Sequence, residues 1–267
     1  MSEAGSGTGL AGAVSATRWD AHDVDDLPSL LGVPRVEAFR TIGSTSDRAK
    51  ALAHSGAPAW SVVVADEQTA GRGRRGASWI SDEGAGLWMS VVLKPSAPDA
   101  PLPLVVGLAC AEAIERVAPE IAVGVKWPND LVVGDGKVGG ILCEAAGDAV
   151  VVGVGINVSR APTTAEVSDQ PVTALEVEAG TSLSRSDLAG AILDRLRVWT
   201  ATESTRSQAI RVVSRRDVLE GVTVVSEQAG VGRGAGIDEG GALLLDKPDG
   251  SRARVISGRV RRASSSP

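Results

Sequence analysis

The 267-residue sequence has no tyrosine, one phenylalanine (Phe39), two cysteines and two histidines. Cys110 and Cys143 lie far apart, which excludes a disulfide scaffold and a CxxC metal or redox motif. His22 and His54 cannot join them in a zinc cluster on any usual spacing, so no metal site is expected. No apolar run reaches the roughly 18 residues that span a bilayer, which excludes membrane-spanning helices. The opening MSEAGSGTGLAGAVSATRWD lacks a basic start and a long apolar stretch, so it does not read as a secretory signal. A net charge of −6 argues against a protein that wraps nucleic acid. No Ser/His/Asp triad, Cys/His pair or paired-carboxylate arrangement stands out. These absences point to a cytoplasmic protein with neither membrane nor nucleic-acid partners.

What is present describes an ordinary globular chain, with 43% hydrophobic and 22% charged residues in one or two domains. Residues 1–34 are rich in Gly, Ala, Ser and Asp and show neither helical nor strand periodicity, which predicts a flexible leader. Deleting them is expected to leave stability and activity nearly unchanged. They are too few for an N-terminal helix-turn-helix, although a short acidic helix fits over 23–31.

From Val36 the pattern tightens. VEAFR, SVVVAD, GLWMSVVL, VGVKW, LVV, VGGILCEAA and VVVGVGINV read as strands, with a GDG turn at 134–136. STSDRAKALAHSG reads as a helix with Ser44 as N-cap and Gly56 as its stop. PLPLVVGLACAEAIERVAPE carries a long helix ended by Pro119, and SRSDLAGAILDRLRVWTATE an amphipathic one. After about residue 219, VTVVS, ALLLD and ARVIS with tight turns predict a small β-barrel. The strands cluster and do not alternate strictly with helices, so the class is α+β, with a leader (1–34), a main domain (35–218), which the resemblance given below makes the catalytic one, and a small C-terminal domain (219–267).

Four stretches carry candidate chemistry. GRGRRG at 71–76 matches G-x-G-x-x-G, but the ASWISDEGAGLW that follows has no helical period, so the dinucleotide reading fails. Arg72, Arg74 and Arg75 set among glycines suit a clamp on phosphate or carboxylate; the alternative is a solvated basic loop. In KWPND at 126–130, Lys126 ends an apolar run, where an ammonium usually has an anionic partner or substrate. Lys137 enters the glycine-bearing KVGGIL strand, and Asn157 ends GVGIN, where it is either a ligand contact or a buried amide satisfied by backbone. Chemistry that runs on lysines, arginines and backbone amides points to an anionic substrate and phosphoryl or adenylyl transfer.

In their order and separations, GSTSD, DEQTAGRGRRG, KWPNDL, KVGGIL and GVGINV resemble those of the biotin protein ligases, from about Val36 onward. The resemblance implies a class II synthetase-like central mixed sheet flanked by helices, an SH3-like C-terminal barrel, and a monofunctional enzyme. It implies an ATP-dependent, AMP-forming ligase that makes biotinyl-5'-AMP, with Mg²⁺ on the phosphates. The acceptor it implies is a lysine in the biotin carboxyl-carrier domain of acyl-CoA carboxylases. Carried over by position, Ser44, Thr45, Ser46 and Gln68 meet biotin. Arg72, Gly73 and Arg74 match the biotin and adenylate loop, and Lys137 meets the biotin carboxylate and the α-phosphate. Lys126, Asn129, Asp130 and Asn157 fall on the nucleotide side, and Trp79 or Trp127 would close the slot around the biotin rings. Two positions depart from the usual pattern: Ser46 stands where relatives often have Asn, and Ala77 where they often have a basic residue. A lipoate or octanoate ligase on the same fold and a non-enzymatic biotin-binding module are the alternatives.

Overall fold

A computed structural model describes residues 12–94, 101–162 and 170–263. The chain divides into two compact units, Met1–Ser96 with Val138–Gly190, and Ala97–Lys137 with Ala191–Pro267.

The first unit is built on a mixed sheet. Its strands run in the order Val14–Ser15, Arg35–Ile42, Ser61–Gln68, Gly86–Leu93, Ala149–Asn157, Gly136–Ala146. Arg35–Ile42 and Ser61–Gln68 are parallel, and the remaining pairs are antiparallel. Continuous apolar runs mark strands covered on both faces, and every residue of Gly86–Leu93 is buried. One face receives the helix Thr45–His54, whose Ala49, Leu52 and Ala53 share a cluster with Phe39, Val63, Val92 and Val151. That helix stops at Gly56, whose φ of +81° is open to glycine at no steric cost.

Residues 12–34 correct the expectation of a flexible leader. Val14–Ser15 pairs with Phe39 and Thr41 at the sheet edge, and Arg18–Trp19 forms a small hairpin with His22–Asp23. Trp19, Leu27, Leu31 and Val33 are buried. Arg185 stacks on the Trp19 ring at 5.2 Å and bridges Asp20 (3.3 Å) and Asp66 (2.9 Å). Burial here comes from isolated large side chains without a period, which is why composition missed it. Deleting residues 1–34 is therefore expected to lower stability markedly. Trp19→Ala alone should cost about 3–5 kcal/mol in denaturant unfolding. Trp19→Phe should cost less, because the buried indole N–H has no hydrogen-bond partner to lose. Equal unfolding midpoints for the parent and Trp19→Ala would contradict this.

In the second unit the helix Leu102–Val117 ends before Pro119, and Val123–Lys126 pairs antiparallel with Asp130–Val133. Glu112 accepts from Arg195 and the Trp199 indole, while Glu115 accepts from Arg216 and the Val123 amide. The amphipathic stretch expected over 184–203 forms the helix Arg185–Thr200, and a second helix that the sequence reading did not include, Glu203–Ser214, follows it. Thr202 caps the second through reciprocal bonds with Thr205, a capping box with Thr in the place usually held by Glu or Gln.

The C-terminal strands form a five-stranded antiparallel sheet in the order Arg252–Val255, Leu243–Asp246, Gly230–Ile237, Thr223–Ser226, Val260–Arg262. The expected barrel is not closed. The last strand has three residues, pairs with Thr223–Ser226, and forms no ladder with Arg252–Val255 at the other edge.

Asp217 carries a pH prediction for this unit. One carboxylate oxygen accepts from the Leu219 amide at 3.0 Å, and the other is buried without a partner. Burial pushes its pKa up to about 6, the Leu219 bond opposes the rise, and Glu220 adds to it. The folded pKa exceeds the unfolded one, so the native state binds the proton more tightly. The group's contribution therefore falls as pH rises from about 4 to about 6. Asp217→Asn is expected to be more stable than the parent by on the order of 1–2 kcal/mol at pH 8. The gap should close near pH 4, and a pH-independent gap in urea melts would contradict the assignment.

Candidate active site

In the first unit a polar cluster sits where the helix Thr45–His54 starts over the sheet. Ser44, Thr45, Ser46, Ser81 and Ser90 are all buried. The Gln68 carboxamide oxygen accepts from the Thr45 amide (2.9 Å) and hydroxyl (3.0 Å), and its nitrogen donates to Ser81 Oγ (2.8 Å). Ser90 Oγ lies 2.8 Å from Thr45 Oγ1 and 3.1 Å from Ser46 Oγ. These groups hold one another in fixed directions, as a site that reads a small polar ligand requires.

The glycines of the strand Ala149–Asn157 shape the same region. A Cβ at Gly153 would stand 2.7 Å from Ser46 Oγ, and one at Gly155 would meet the Trp79 indole at 2.7 Å. The strand thus gives up two side chains to admit Ser46 and Trp79. Trp79 also meets Trp88 edge to face at 6.5 Å, which supplies an aromatic wall next to the hydroxyls.

The arginine loop is a cross-bonded turn. Gly73 N donates to Ala77 O (2.7 Å), Trp79 N to Gly71 O (2.9 Å) and Ala77 N to Arg74 O (3.2 Å). Gly71 is obligatory, because a Cβ there would stand 2.4 Å from Trp79 O, whereas Gly73 has ordinary room. Arg72 donates through both terminal nitrogens to the Asp47 carboxylate, one of them at 2.5 Å, and lies 3.9 Å from Glu144. Lys50 bridges Asp47 (3.2 Å) and Glu144 (3.1 Å). Hydrogen bonding from Arg72 holds the Asp47 carboxyl below its usual range against desolvation, and the same bonds raise the Arg72 pKa.

In the second unit KWPND is a hairpin turn. Lys126 and Asp130 are cross-strand partners, and Asn129 N donates to Lys126 O at 3.2 Å. Lys126 is 9% exposed, which makes it a sheltered ammonium. Lys137 forms an ion pair with Asp130 at 2.6 Å, with both side chains largely shielded. Four expected site residues therefore lie within one short segment of this unit.

A family model described as the biotin/lipoate A/B protein ligase family matches residues 38–159. A biotin–[acetyl-CoA-carboxylase] ligase of Mycobacterium tuberculosis is 35% identical over 246 residues, covering 85% of this chain and 88% of that protein. This chain belongs to the biotin protein ligase family. The bifunctional ligase/repressor BirA of Bacillus subtilis is 34% identical over 231 residues, 78% of this chain and 68% of that one. Among solved structures, the biotin protein ligase from Aquifex aeolicus in complex with biotin and ATP matches with a TM-score of 0.75 and 30% identity. The match covers 86% of this chain and all of that one.

Within the ligase, two of the residues singled out in the sequence are buried and bonded to main-chain carbonyls. Trp127 is buried in the second unit, and its indole N–H donates to Gly241 O at 2.9 Å. Asn157 is buried too, with its amide donating to Thr173 O at 3.0 Å, which is the backbone-satisfied alternative. Sequence reading missed Ser90, Asp47 and Glu144 as parts of the site. Ser90 had a signal as the lone polar residue in GLWMSVVL. Asp47 and Glu144 had none, because single acids on a polar helix face or a strand read as solvated.

Proposed function

We propose that this ligase activates biotin with ATP and transfers it to one lysine of a carboxylase biotin-carrier domain. The arginine turn, tied through Arg72 to Asp47 on the helix that also bears Thr45 and Ser46, is the observation that carries the reading, because it sets a cation near polar groups suited to an uncharged ring. In the first step a biotin carboxylate oxygen attacks the α-phosphorus of ATP, supplied as its magnesium complex. The bond to pyrophosphate breaks, leaving the mixed anhydride biotinyl-5'-AMP. Negative charge builds on the α-phosphoryl oxygens, and fixed cations placed in advance lower that barrier.

We assign Lys137 to the biotin carboxylate and α-phosphate, and Arg72, Gly73 and Arg74 to the biotinyl-adenylate. Ser44, Thr45, Ser46 and Gln68 serve the ureido end, with Trp79 against the rings. Lys126, Asn129 and Asp130 serve the nucleotide, and Asn157 positions the chain around Thr173. In the second step the acceptor amine attacks the acyl carbon, AMP departs, and the amine proton passes to Asp130 or water. The catalytic machinery falls within residues 35–218, with 219–267 as a small accessory lobe, and ATP dependence suits a cytoplasmic setting. Incubating the full chain with biotin, MgATP and a purified carrier domain should add one biotin mass to a single lysine. An unmodified carrier, in the presence of active enzyme controls, would overturn the reading.

A further inference from the structure

We propose that Asp47 is a positioning residue for Arg72, fixing its guanidinium so that the Nε edge is presented to the substrate anion. The inference rests on the role assigned to Arg72 above. An arginine between Gly71 and Gly73 has many accessible directions, and an undirected cation loses much of its value to reorganisation. Asp47 lies in the first turn of the helix Thr45–His54, whose Thr45 and Ser46 are locked to Gln68 and Ser90. Its carboxylate is therefore mounted on a rigid element, and the mount is shared with the polar cluster.

The grip is end-on. Both terminal nitrogens of Arg72 are spent on Asp47, and among the described residues the Nε–H makes no hydrogen bond. A planar guanidinium held this way still offers its side edge to a second oxyanion. Lys50 holds Asp47 from the other side and ties it to Glu144. The two acids and two bases balance before substrate arrives, so an incoming carboxylate or phosphate adds the one uncompensated charge.

A different arrangement would make the same ion pair a latch that withholds Arg72 from substrate. The two have opposite consequences for rate. Positioning predicts that Asp47→Asn lowers kcat/KM for biotin in pyrophosphate release by roughly tenfold to a hundredfold. Asp47→Glu should restore part of the loss. In an Arg72→Ala background, Asp47→Asn should add little, because Asp47 acts through that side chain.

Glu37→Gln is the matched control. It breaks the bidentate pair between Glu37 on the strand Arg35–Ile42 and Arg48 on the same helix as Asp47 (2.6 and 2.9 Å), and should leave kcat/KM unchanged. An Asp47→Asn enzyme as fast as the parent, or faster, overturns the proposal while the assigned function stands. Losses that multiply with Arg72→Ala also overturn it. A parent enzyme with no biotin-dependent release overturns both the proposal and the reading beneath it.

Discussion

Lys137→Ala is expected to slow formation of biotinyl-5'-AMP by roughly 10²–10³-fold while weakening biotin binding far less. The ammonium is paired with Asp130 at 2.6 Å in the resting protein, so its charge is already partly neutralised there. Its largest gain comes when charge builds on the α-phosphoryl oxygens, which is a transition-state interaction. Ground-state biotin has only a carboxylate to offer, and that carboxylate gives up water to reach Lys137. Single-turnover pyrophosphate release measures the chemical step, and calorimetric titration of biotin measures binding. The assignment predicts a large fall in the first and a small change in the second. Normal pyrophosphate release in the variant would defeat the role, as would an equal loss in both measurements.

Arg74→Gly is expected to separate making the adenylate from keeping it. The Ala77 N to Arg74 O bond is a backbone bond, so a glycine at 74 preserves that link in the turn while removing the guanidinium. Loss of one charge-assisted contact is worth about 1.5–3 kcal/mol, or roughly tenfold to a hundredfold in retention of the anhydride. A retained anhydride waits for the acceptor lysine, whereas a released one acylates any amine it meets. Mixing the variant with biotin, MgATP and an unrelated protein should therefore label the bystander, with the parent leaving it nearly clean. An unlabelled bystander beside normal acceptor labelling would show that Arg74 is a solvated surface arginine.

Where sequence and structure agree, the signal was physical and local. SVVVAD and GLWMSVVL are apolar without a break because both faces of those strands are covered, and such runs read clearly. Lys126 and the arginines of GRGRRG stood out as cations placed where solvation is poor or the backbone unusually open. The failures share a cause, since each depends on a partner far away in the chain. Trp19 is buried under Arg185, whose position 166 residues later no local window contains. Asp47 gains its part from Arg72, and Ser90 from the hydroxyls of Thr45 and Ser46. Trp127 donates its N–H to Gly241, 114 residues later, a bond no local window contains. The C-terminal strands and turns were legible, but closure of a sheet depends on which edges meet, and no residue pattern encodes that.

Pyrophosphate release from MgATP, measured with biotin, with lipoate and with neither, tests the central assignment most directly. Release that depends on biotin, with lipoate no better than the blank, is the result predicted for a biotin ligase. Release driven by lipoate, or no carboxylate-dependent release at all, would contradict it.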